Sequence, residues 1–191
     1  RLRGMPKITE DTVAEHRAVQ HRAVLDAAER LIVENHGKVP TLAEVAAAVG
    51  LARPSVYRYA KSQHDLLVQL LIAATDEWNA ELEAKIKNAP PEPHQRMRAY
   101  VDATLDLFAH GGHGPLMAAA KNFPEAFADD NVQRSHAGFR TIVADFCPGV
   151  SAVDIALLNS AIARAAEFAA TPEAFKAARE TLYAMADVVV D

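Results

Sequence analysis

Apolar residues recur at helical spacing over most of the chain. Between Arg17 and Asn35 they fall on one face of a helix, which we expect to end at His36-Gly37, because glycine readily takes the left-handed conformation after a last turn. The preceding residues 1–16 are polar and are predicted to lie outside this helix. No segment shows the strict alternation of a half-buried strand. The pattern predicts an all-α protein.

Two short helices around a tight turn are predicted next. Thr41 has the character of an N-cap, and Glu44 follows at the spacing of a capping box. Gly50 closes this helix, and Pro54 suits the first turn of another helix, which runs to about Tyr59. The apolar face of the first helix consists of Leu42, Val45, Ala46 and Val49. This spacing is typical of a helix-turn-helix, whose second helix lies in the major groove of DNA.

A long helix is predicted from Ser62 to about residue 88, where PPEP stops it. Further helices are predicted over 94–110, from Pro115, and over 125–146, 151–170 and 172–190. With the three front helices this gives about nine. We expect an N-terminal arm and helix-turn-helix domain over residues 1–61, and a helical ligand-binding and dimerisation domain over 62–191.

The segment TLAEVAAAVGLARPSVYRYAKSQHDLL, preceded by HRAVLDAAERLIVENHGKVP, resembles the DNA-binding signature of the tetracycline-repressor (TetR) family. The likeness covers roughly residues 17–72 and includes the glycine-ended second helix, the aromatic pair of the third and the "K....LL" opening of the fourth. The rest of the chain matches only in being helical and of suitable length. The resemblance implies a DNA-binding head on a variable ligand domain.

The resemblance also implies roles for individual residues. Thr41 would cap the second helix and contact phosphate, and Tyr57 would be the phosphate-binding tyrosine. Lys61 would contact the DNA backbone just past the recognition helix. At the front of that helix, where base edges are read, stand Arg53, Pro54 and Ser55, and the next contact positions are Arg58 and Tyr59.

Three positions depart from the family pattern. Ala52 stands where the recognition helix is commonly capped by serine or threonine, Ala60 replaces a usual aromatic residue, and Gln63 replaces a common lysine. Other interpretations also remain for the segment: an ordinary helical hairpin within a core, with Arg53 a solvated surface residue and Tyr57 packed inward.

The charge of the chain is unevenly distributed. Its formal net charge is −5, which by itself disfavours nucleic acid. Residues 1–67 carry 10 Lys and Arg against 8 Asp and Glu, a balance of +2, which leaves 10 against 17, or −7, for residues 68–191. A basic front on an acidic body indicates two tasks on one chain.

Apolar and aromatic residues crowd the region between 62 and 146, as in pockets for small molecules. The residues predicted to bind a ligand are Trp78, Met97, Tyr100, Phe108, Met117, Phe123 and Phe139. Asn122 and His136 are weaker candidates for polar contacts. Aromatic residues at helical spacing suit a plain core equally, so a sealed body without an effector is an alternative.

The last two helices are predicted to hold a homodimer together. A seam of apolar residues in the last helix can face a partner: Phe175, Ala178, Leu182, Met185 and Val189. The helix before it is apolar nearly all round, and Ala156, Ser160 and Ala163 permit close approach of another helix. The TetR resemblance likewise implies a four-helix bundle built from two such pairs. The alternative is that both helices bury their faces within one subunit.

Several classes of protein are disfavoured. The single cysteine, Cys147, suits a reducing cytoplasm, and no apolar run reaches the roughly 20 residues that span a bilayer. The N-terminus does not have the pattern of a secretory signal. His110 and His113 fall short of the three or four ligands of a metal site. Motifs of nucleophilic hydrolases, zinc proteases and nucleotide-binding loops are absent from the sequence. We therefore expect neither an enzyme nor a cofactor.

Together these features favour a cytoplasmic, homodimeric transcriptional regulator, in the manner of TetR repressors. It would bind palindromic operator DNA and be released by a small apolar or amphipathic ligand. The alternative from another class is a helical small-molecule-binding or interaction module with a vestigial DNA-binding head.

Overall fold

A computed structural model describes residues 10–110 and 114–190, which form ten helices and no strand. The helices are α1 (Glu10–Glu34), α2 (Leu42–Ala48), α3 (Arg53–Val56), α4 (Gln63–Asn88), α5 (Pro93–His110), α6 (Gly114–Lys121), α7 (Pro124–Phe127), α8 (Asp130–Phe146), α9 (Ala152–Phe168) and α10 (Pro172–Val190). The predicted all-α class, with a three-helix front and a helical body, is confirmed.

Two helix predictions differ from the structure. α1 already begins at Glu10, since residues 13–16 are exposed and continue the helix ahead of its first buried residues. The single helix predicted over 125–146 is divided into α7 and α8. Asp129 causes the break, since its carboxylate accepts a hydrogen bond from the backbone N–H of Asn131 at 2.8 Å and caps α8. Among the described residues the helices therefore number ten rather than about nine.

Two clusters of buried side chains hold the helices together. The first joins α1, α2 and α3 to the first half of α4 and to α6 and α7. The second joins the remainder of α4 to α5, α8, α9 and α10. α6 and α7 thus belong to the same buried cluster as the three front helices, although they follow those helices by more than 50 residues in sequence. A domain boundary after residue 61 stays a prediction about folding units, because the buried clusters do not divide there.

α10 is oriented differently from the prediction. Leu182 is 2 % exposed, and Phe175 packs against the second cluster, whereas Met185 of the same predicted seam is 42 % exposed. The seam therefore does not face outward as a unit. The reason is helical periodicity: Leu182 and Ala186, which is 0 % exposed, lie on the inner face, while Met185 and Val188 lie on the other.

Neither a membrane-spanning helix nor a metal-binding cluster is found in the part of the chain that the structure describes. Within 10–110 and 114–190, no helix combines the length and hydropathy needed to cross a bilayer. Nor do these residues include three or more His, Cys, Asp or Glu side chains grouped to hold a metal ion. His110 lies against the ring of Phe175, and His113 falls outside the described residues. Cys147 is buried, and burial raises the pKa of its thiol.

Candidate nucleic-acid interface and internal cavity

The first helix of the helix-turn-helix is fixed by a capping box. The backbone N–H of Glu44 donates to the Thr41 hydroxyl at 3.2 Å, and the Thr41 N–H donates to the Glu44 carboxylate at 2.7 Å. These hydrogen bonds hold the pKa of Glu44 below its ordinary value. The Thr41 hydroxyl also lies 2.8 Å from the same carboxylate. The predicted cap is confirmed, and a phosphate contact by Thr41 would have to replace this last bond.

The turn between α2 and α3 follows a Schellman arrangement. The N–H of Leu51 donates to the carbonyl of Ala46 at 2.9 Å, and that of Gly50 to Ala47 at 3.3 Å. Gly50 has a φ of +69°, a conformation that side-chain-bearing residues rarely adopt. This glycine sets the angle at which α3 leaves α2.

α3 presents its charged side to solvent. Val56 and Ala60 are buried at 0 % and 1 % exposure, so the opposite face of this short segment points outward. Tyr57 is 46 % exposed. Arg53, Pro54 and Arg58 are also exposed, and Ser55 is half-buried. Hydrogen bonds from the N–H groups of Arg58, Tyr59 and Ala60 continue the turn beyond Val56. The alternative in which Tyr57 packs inward is therefore excluded.

Tyr59 is part of the support for α3 as well as a candidate DNA contact. Its ring stacks on His21 of α1, with centroids 6.1 Å apart and planes at 14°. Its carbonyl accepts a hydrogen bond from Nε2 of Gln69 at 2.9 Å, and Oε1 of Gln69 lies 2.6 Å from Nε2 of His21. One amide therefore ties α1, α4 and the end of the recognition segment together. Sequence reasoning missed this role, although a lone glutamine within the run LLVQLL was a visible signal.

The start of α4 is fastened on two sides. The Ser62 hydroxyl accepts from the N–H of Asp65 at 3.0 Å, and the Asp65 carboxylate accepts from the N–H of Lys61 at 2.7 Å. Nε2 of Gln63 donates to the carbonyl of Val39 at 3.2 Å. The Lys61 side chain remains exposed. Gln63, one of the departures from the family pattern, therefore joins the start of α4 to the segment before α2 through this hydrogen bond.

The other two departures have different consequences. Ala52 is the N-cap of α3 and makes no side-chain cap bond, so this helix begins without the support of a hydroxyl. Ala60 is 1 % exposed and belongs to the first buried cluster. A larger aromatic residue at position 60 would have to displace neighbouring side chains.

The electrostatics of the exposed face favour an anionic partner. Between Glu44 and Asp65 the chain carries Arg53, Arg58 and Lys61 and no carboxylate. Arginine can read guanine through paired hydrogen bonds, and tyrosine hydroxyls can bond phosphate oxygens. The face therefore combines the chemistry of base reading with that of backbone contact.

A cavity of about 570 Å³, partly open to solvent, lies in the body. α4, α5, α6, α7, α8 and α9 all contribute to its wall. Its lining is mainly apolar and includes Leu71, Leu107, Leu116 and Phe127. This volume is within the range of pockets that take small molecules.

The predicted ligand-binding residues divide between this cavity and the core. Four of them line it: Trp78, Phe108, Met117 and Phe139. Met97 and Tyr100 do not, because they are 0 % exposed within the second buried cluster, and Phe123 packs against the first. Of the weaker candidates, His136 lines the cavity and Asn122 does not. Sequence reasoning missed the polar wall residues Thr104 and Asn159, which periodicity alone cannot orient.

The cavity wall also contacts the front of the molecule. Gly37, at the end of the turn after α1, has a φ of +89°. A Cβ atom at this position would lie 3.2 Å from Cβ of Ala118 and 3.2 Å from the carbonyl oxygen of Pro115, both on α6. α6 supplies Leu116 and Met117 to the cavity. The same short helix therefore touches the cavity on one side and the turn after α1 on the other.

α9 and α10 carry an uncovered apolar surface. Val153, Leu157 and Phe168 of α9 are 66 %, 64 % and 63 % exposed, and Val188 of α10 is 76 % exposed. Together with Met185, these residues define the outer apolar face. Exposed apolar surface of this kind marks interaction sites more often than plain surface.

Part of this sequence is similar to the sequences of known proteins. Residues 24–70 match the family model of the tetR family of bacterial regulatory proteins. The chain is 33 % identical over 108 residues to the HTH-type transcriptional repressor LfrR of Mycolicibacterium smegmatis, an alignment that covers 56 % of this chain and 52 % of the repressor. The chain thus spans about half the length of this curated relative.

Solved structures extend the likeness to the whole fold. A TetR family transcription regulator from Marinobacter aquaeolei VT8 has a TM-score of 0.64 and 14 % identity, covering 90 % of this chain and 97 % of its own. A TetR transcriptional regulator from Rhodococcus sp. RHA1 has a TM-score of 0.61 and 18 % identity, covering 92 % and 97 %. The family-model match over residues 24–70, the capped helix-turn-helix and the helical fold thus agree in their likeness to the tetR family of bacterial regulatory proteins.

Proposed function

We propose that this protein is a homodimeric transcriptional repressor that binds palindromic operator DNA and is released by a small apolar or amphipathic molecule. The observation that carries the proposal is the exposed, carboxylate-free face of α3, with Arg53 and Tyr57 outward and Val56 buried behind them. A cytoplasmic location suits this task. Repression, as opposed to activation, of transcription is inferred from the similarity to the repressor LfrR and is part of the proposal.

DNA contact would be made by the residues that the structure leaves exposed. Arg53 and Arg58 would reach into the groove, and Tyr57 and Lys61 would bond phosphates that fix the register. Tyr59 would contribute less directly, because its ring is stacked on His21 and its carbonyl is bonded to Gln69. Thr41 would contact phosphate only where its hydroxyl turns from Glu44.

Dimerisation would use the outer apolar face of α9 and α10. A helix-turn-helix dimer reads two half-sites about 34–36 Å apart, so one rigid interface must hold two heads at that spacing. Burying Leu157 and Val188 against a second copy would remove apolar surface from water. A Leu157→Glu, Val188→Glu variant is expected to elute as a monomer in size-exclusion chromatography with light scattering, while the wild type elutes as a dimer.

Ligand release would work through α4 and α6. Gln69 holds the recognition segment, and Leu71, two residues later on the same helix, lines the cavity. α6 touches both the cavity and Gly37. A ligand that binds better to a state with these helices displaced lowers the population of the DNA-binding state. A coupling of about 1–3 kcal/mol would change affinity about 5- to 150-fold.

Binding to labelled genomic fragments, measured across a range of salt concentrations, tests the proposal. A protein that neutralises several phosphates loses affinity steeply as salt rises. We expect such a slope, and its loss in an Arg53→Ala, Arg58→Ala variant that still folds. A flat slope would contradict DNA binding and favour the alternative of a small-molecule-binding module with a vestigial head.

A further inference from the structure

The polar groups in the cavity wall are few and differ in how well they are paired. The hydroxyls of Thr75 and Ser160 donate to carbonyls of their own helices, Leu71 at 2.7 Å and Ala156 at 2.9 Å. Thr104, which also lines the cavity, is 1 % exposed, and its hydroxyl has no hydrogen-bond partner among the described residues. A buried hydroxyl without a partner is costly unless something else supplies the bond.

A second polar group lies in the same part of the wall. The Tyr100 hydroxyl donates to Oδ1 of Asn159, which leaves both N–H groups of the Asn159 amide for another acceptor. Burial raises the pKa of Tyr100, so that its hydroxyl stays protonated and acts as this donor. Thr104 lies close enough to the same phenol to act on its pKa, although it makes no well-formed hydrogen bond to it. Thr104 and Asn159 thus form one polar corner, here called the Thr104–Asn159 corner.

The charge of the wall restricts the ligand further. Lys121 is a cation that lines the cavity, and no carboxylate does so among the described residues. Nδ1 of His136 lies 3.0 Å from the carbonyl oxygen of Val132, and this side chain adds no negative charge to the wall. A cationic ligand would therefore meet Lys121 and find no anionic partner in this wall.

We propose that the cavity selects an apolar molecule carrying a carbonyl or carboxylate oxygen, and that this oxygen accepts hydrogen bonds from Thr104 and Asn159. This inference rests on the proposed effector site and narrows the chemical class of its ligand. Apolar side chains enclose the body of the molecule, and the oxygen supplies the partner that Thr104 lacks. A site arranged to bond one group discriminates against analogues without it.

Four probes with one shared body test this selectivity: 4-tert-butylcyclohexanone, its methylene analogue with CH2 in place of the carbonyl oxygen, the corresponding carboxylate and the corresponding ammonium ion. Trp78, the single tryptophan of the chain, lines the cavity, and its fluorescence reports binding to the full-length protein. We expect the ketone to bind about tenfold more tightly than its methylene analogue, and the carboxylate more tightly than the ammonium ion.

Thr104→Val removes the hydroxyl and keeps the shape of the side chain. In this variant the ratio of the affinity for the ketone to the affinity for the methylene analogue should fall to near one. The midpoint of thermal unfolding should be unchanged or higher, because no existing hydrogen bond is lost. The matched control Thr75→Val removes a hydroxyl that already has a partner, and the preference should persist. Lys121→Met distinguishes carboxylate ligands from carbonyl ligands. This substitution should weaken binding of the carboxylate and leave binding of the ketone unchanged.

Equal affinity for the ketone and its methylene analogue would overturn the proposal, and so would tighter binding of the ammonium ion than of the carboxylate. A preference for the ketone that survives Thr104→Val would also overturn it, as would the absence of a Trp78 fluorescence response to the ketone up to its solubility limit. DNA binding is measured separately, without any probe. Failure there would contradict the regulator function and leave the selectivity of the cavity to be judged from fluorescence alone.

Discussion

The recognition face and the cavity are built in opposite ways. The recognition face comes from about twenty consecutive residues, with buried Val56 and Ala60 behind exposed Arg53 and Tyr57. The cavity is assembled from six helices spread between Leu71 and Ala163. A face made by one local pattern can be changed without disturbing the core, whereas the wall of the cavity is also the core. The two regions should therefore respond differently to substitution.

The largest effect is expected where the cavity wall and the front share one core. Leu116 is 2 % exposed, lines the cavity and belongs to the first buried cluster. Leu116→Ala should lower the free energy of unfolding by about 2–5 kcal/mol, as measured by urea denaturation. It should also speed amide hydrogen exchange in α1 and α2. Met117→Ala, a half-buried neighbour, is the control and should cost less. Unchanged exchange in α1 and α2 would show that the front folds independently.

A substitution on the recognition face should separate function from stability. Arg53→Ala is expected to weaken operator binding by about 1–3 kcal/mol and to relax preference at one base position. Its free energy of unfolding should stay within about 0.5 kcal/mol of wild type, because the side chain is exposed. Arg140→Ala, an exposed arginine of α8, is the matched control and should leave DNA binding unaffected. An unchanged base preference in Arg53→Ala would mean that Arg53 is not a reader.

The support beneath α3 should show an intermediate response. Gln69→Leu removes the hydrogen bonds to the Tyr59 carbonyl and to His21. We expect a loss of about 1 kcal/mol in stability and a several-fold loss of operator affinity without altered base preference. Gln63→Leu removes a single bond to Val39 and is the comparison. Equal operator affinity for Gln69→Leu and wild type would refute a positioning role for Gln69.

The smallest effect concerns alkaline pH and a contact between α5 and α10 whose two residues belong to neither site. Burial and the hydrogen bond to Asp102 raise the pKa of Tyr183 from 10.0 to about 12. Between these two values the unfolded chain loses the proton and the folded chain keeps it, so stability falls as pH rises. Tyr183→Phe should flatten this decline between about pH 10 and 12 in denaturation curves. An equally steep decline in the variant would contradict the shift.

The comparison also explains what the sequence could and could not predict. Thr41, Glu44 and Gly50 determine a cap and a turn through bonds to near neighbours, so the helix-turn-helix was predictable. The same is true of the exposed position of Tyr57, which follows from helical periodicity. By contrast, Tyr100 and Phe108 are both aromatic residues of α5, yet one lies in the core and the other lines the cavity. That difference depends on which distant helix packs opposite each residue.

The face of α10 shows the same limit. Its apolar positions are spaced by three and four, and a seam of this kind fits either a neighbouring helix of the same subunit or a partner. In the structure Leu182 packs inward, and Met185 lies on the outer apolar face. Only the placement of α5 and α9 decides between these sides, and no local signal encodes it.

Selection of bound sites from random DNA with the full-length protein tests the central claim most directly. Two copies of an exposed α3 held by one interface should enrich a palindrome whose half-site centres lie about 10–10.5 base pairs apart, or a multiple of that spacing. The Arg53→Ala variant should enrich the same spacing with one base position relaxed. Enrichment of no symmetric sequence by the wild-type protein would contradict the account.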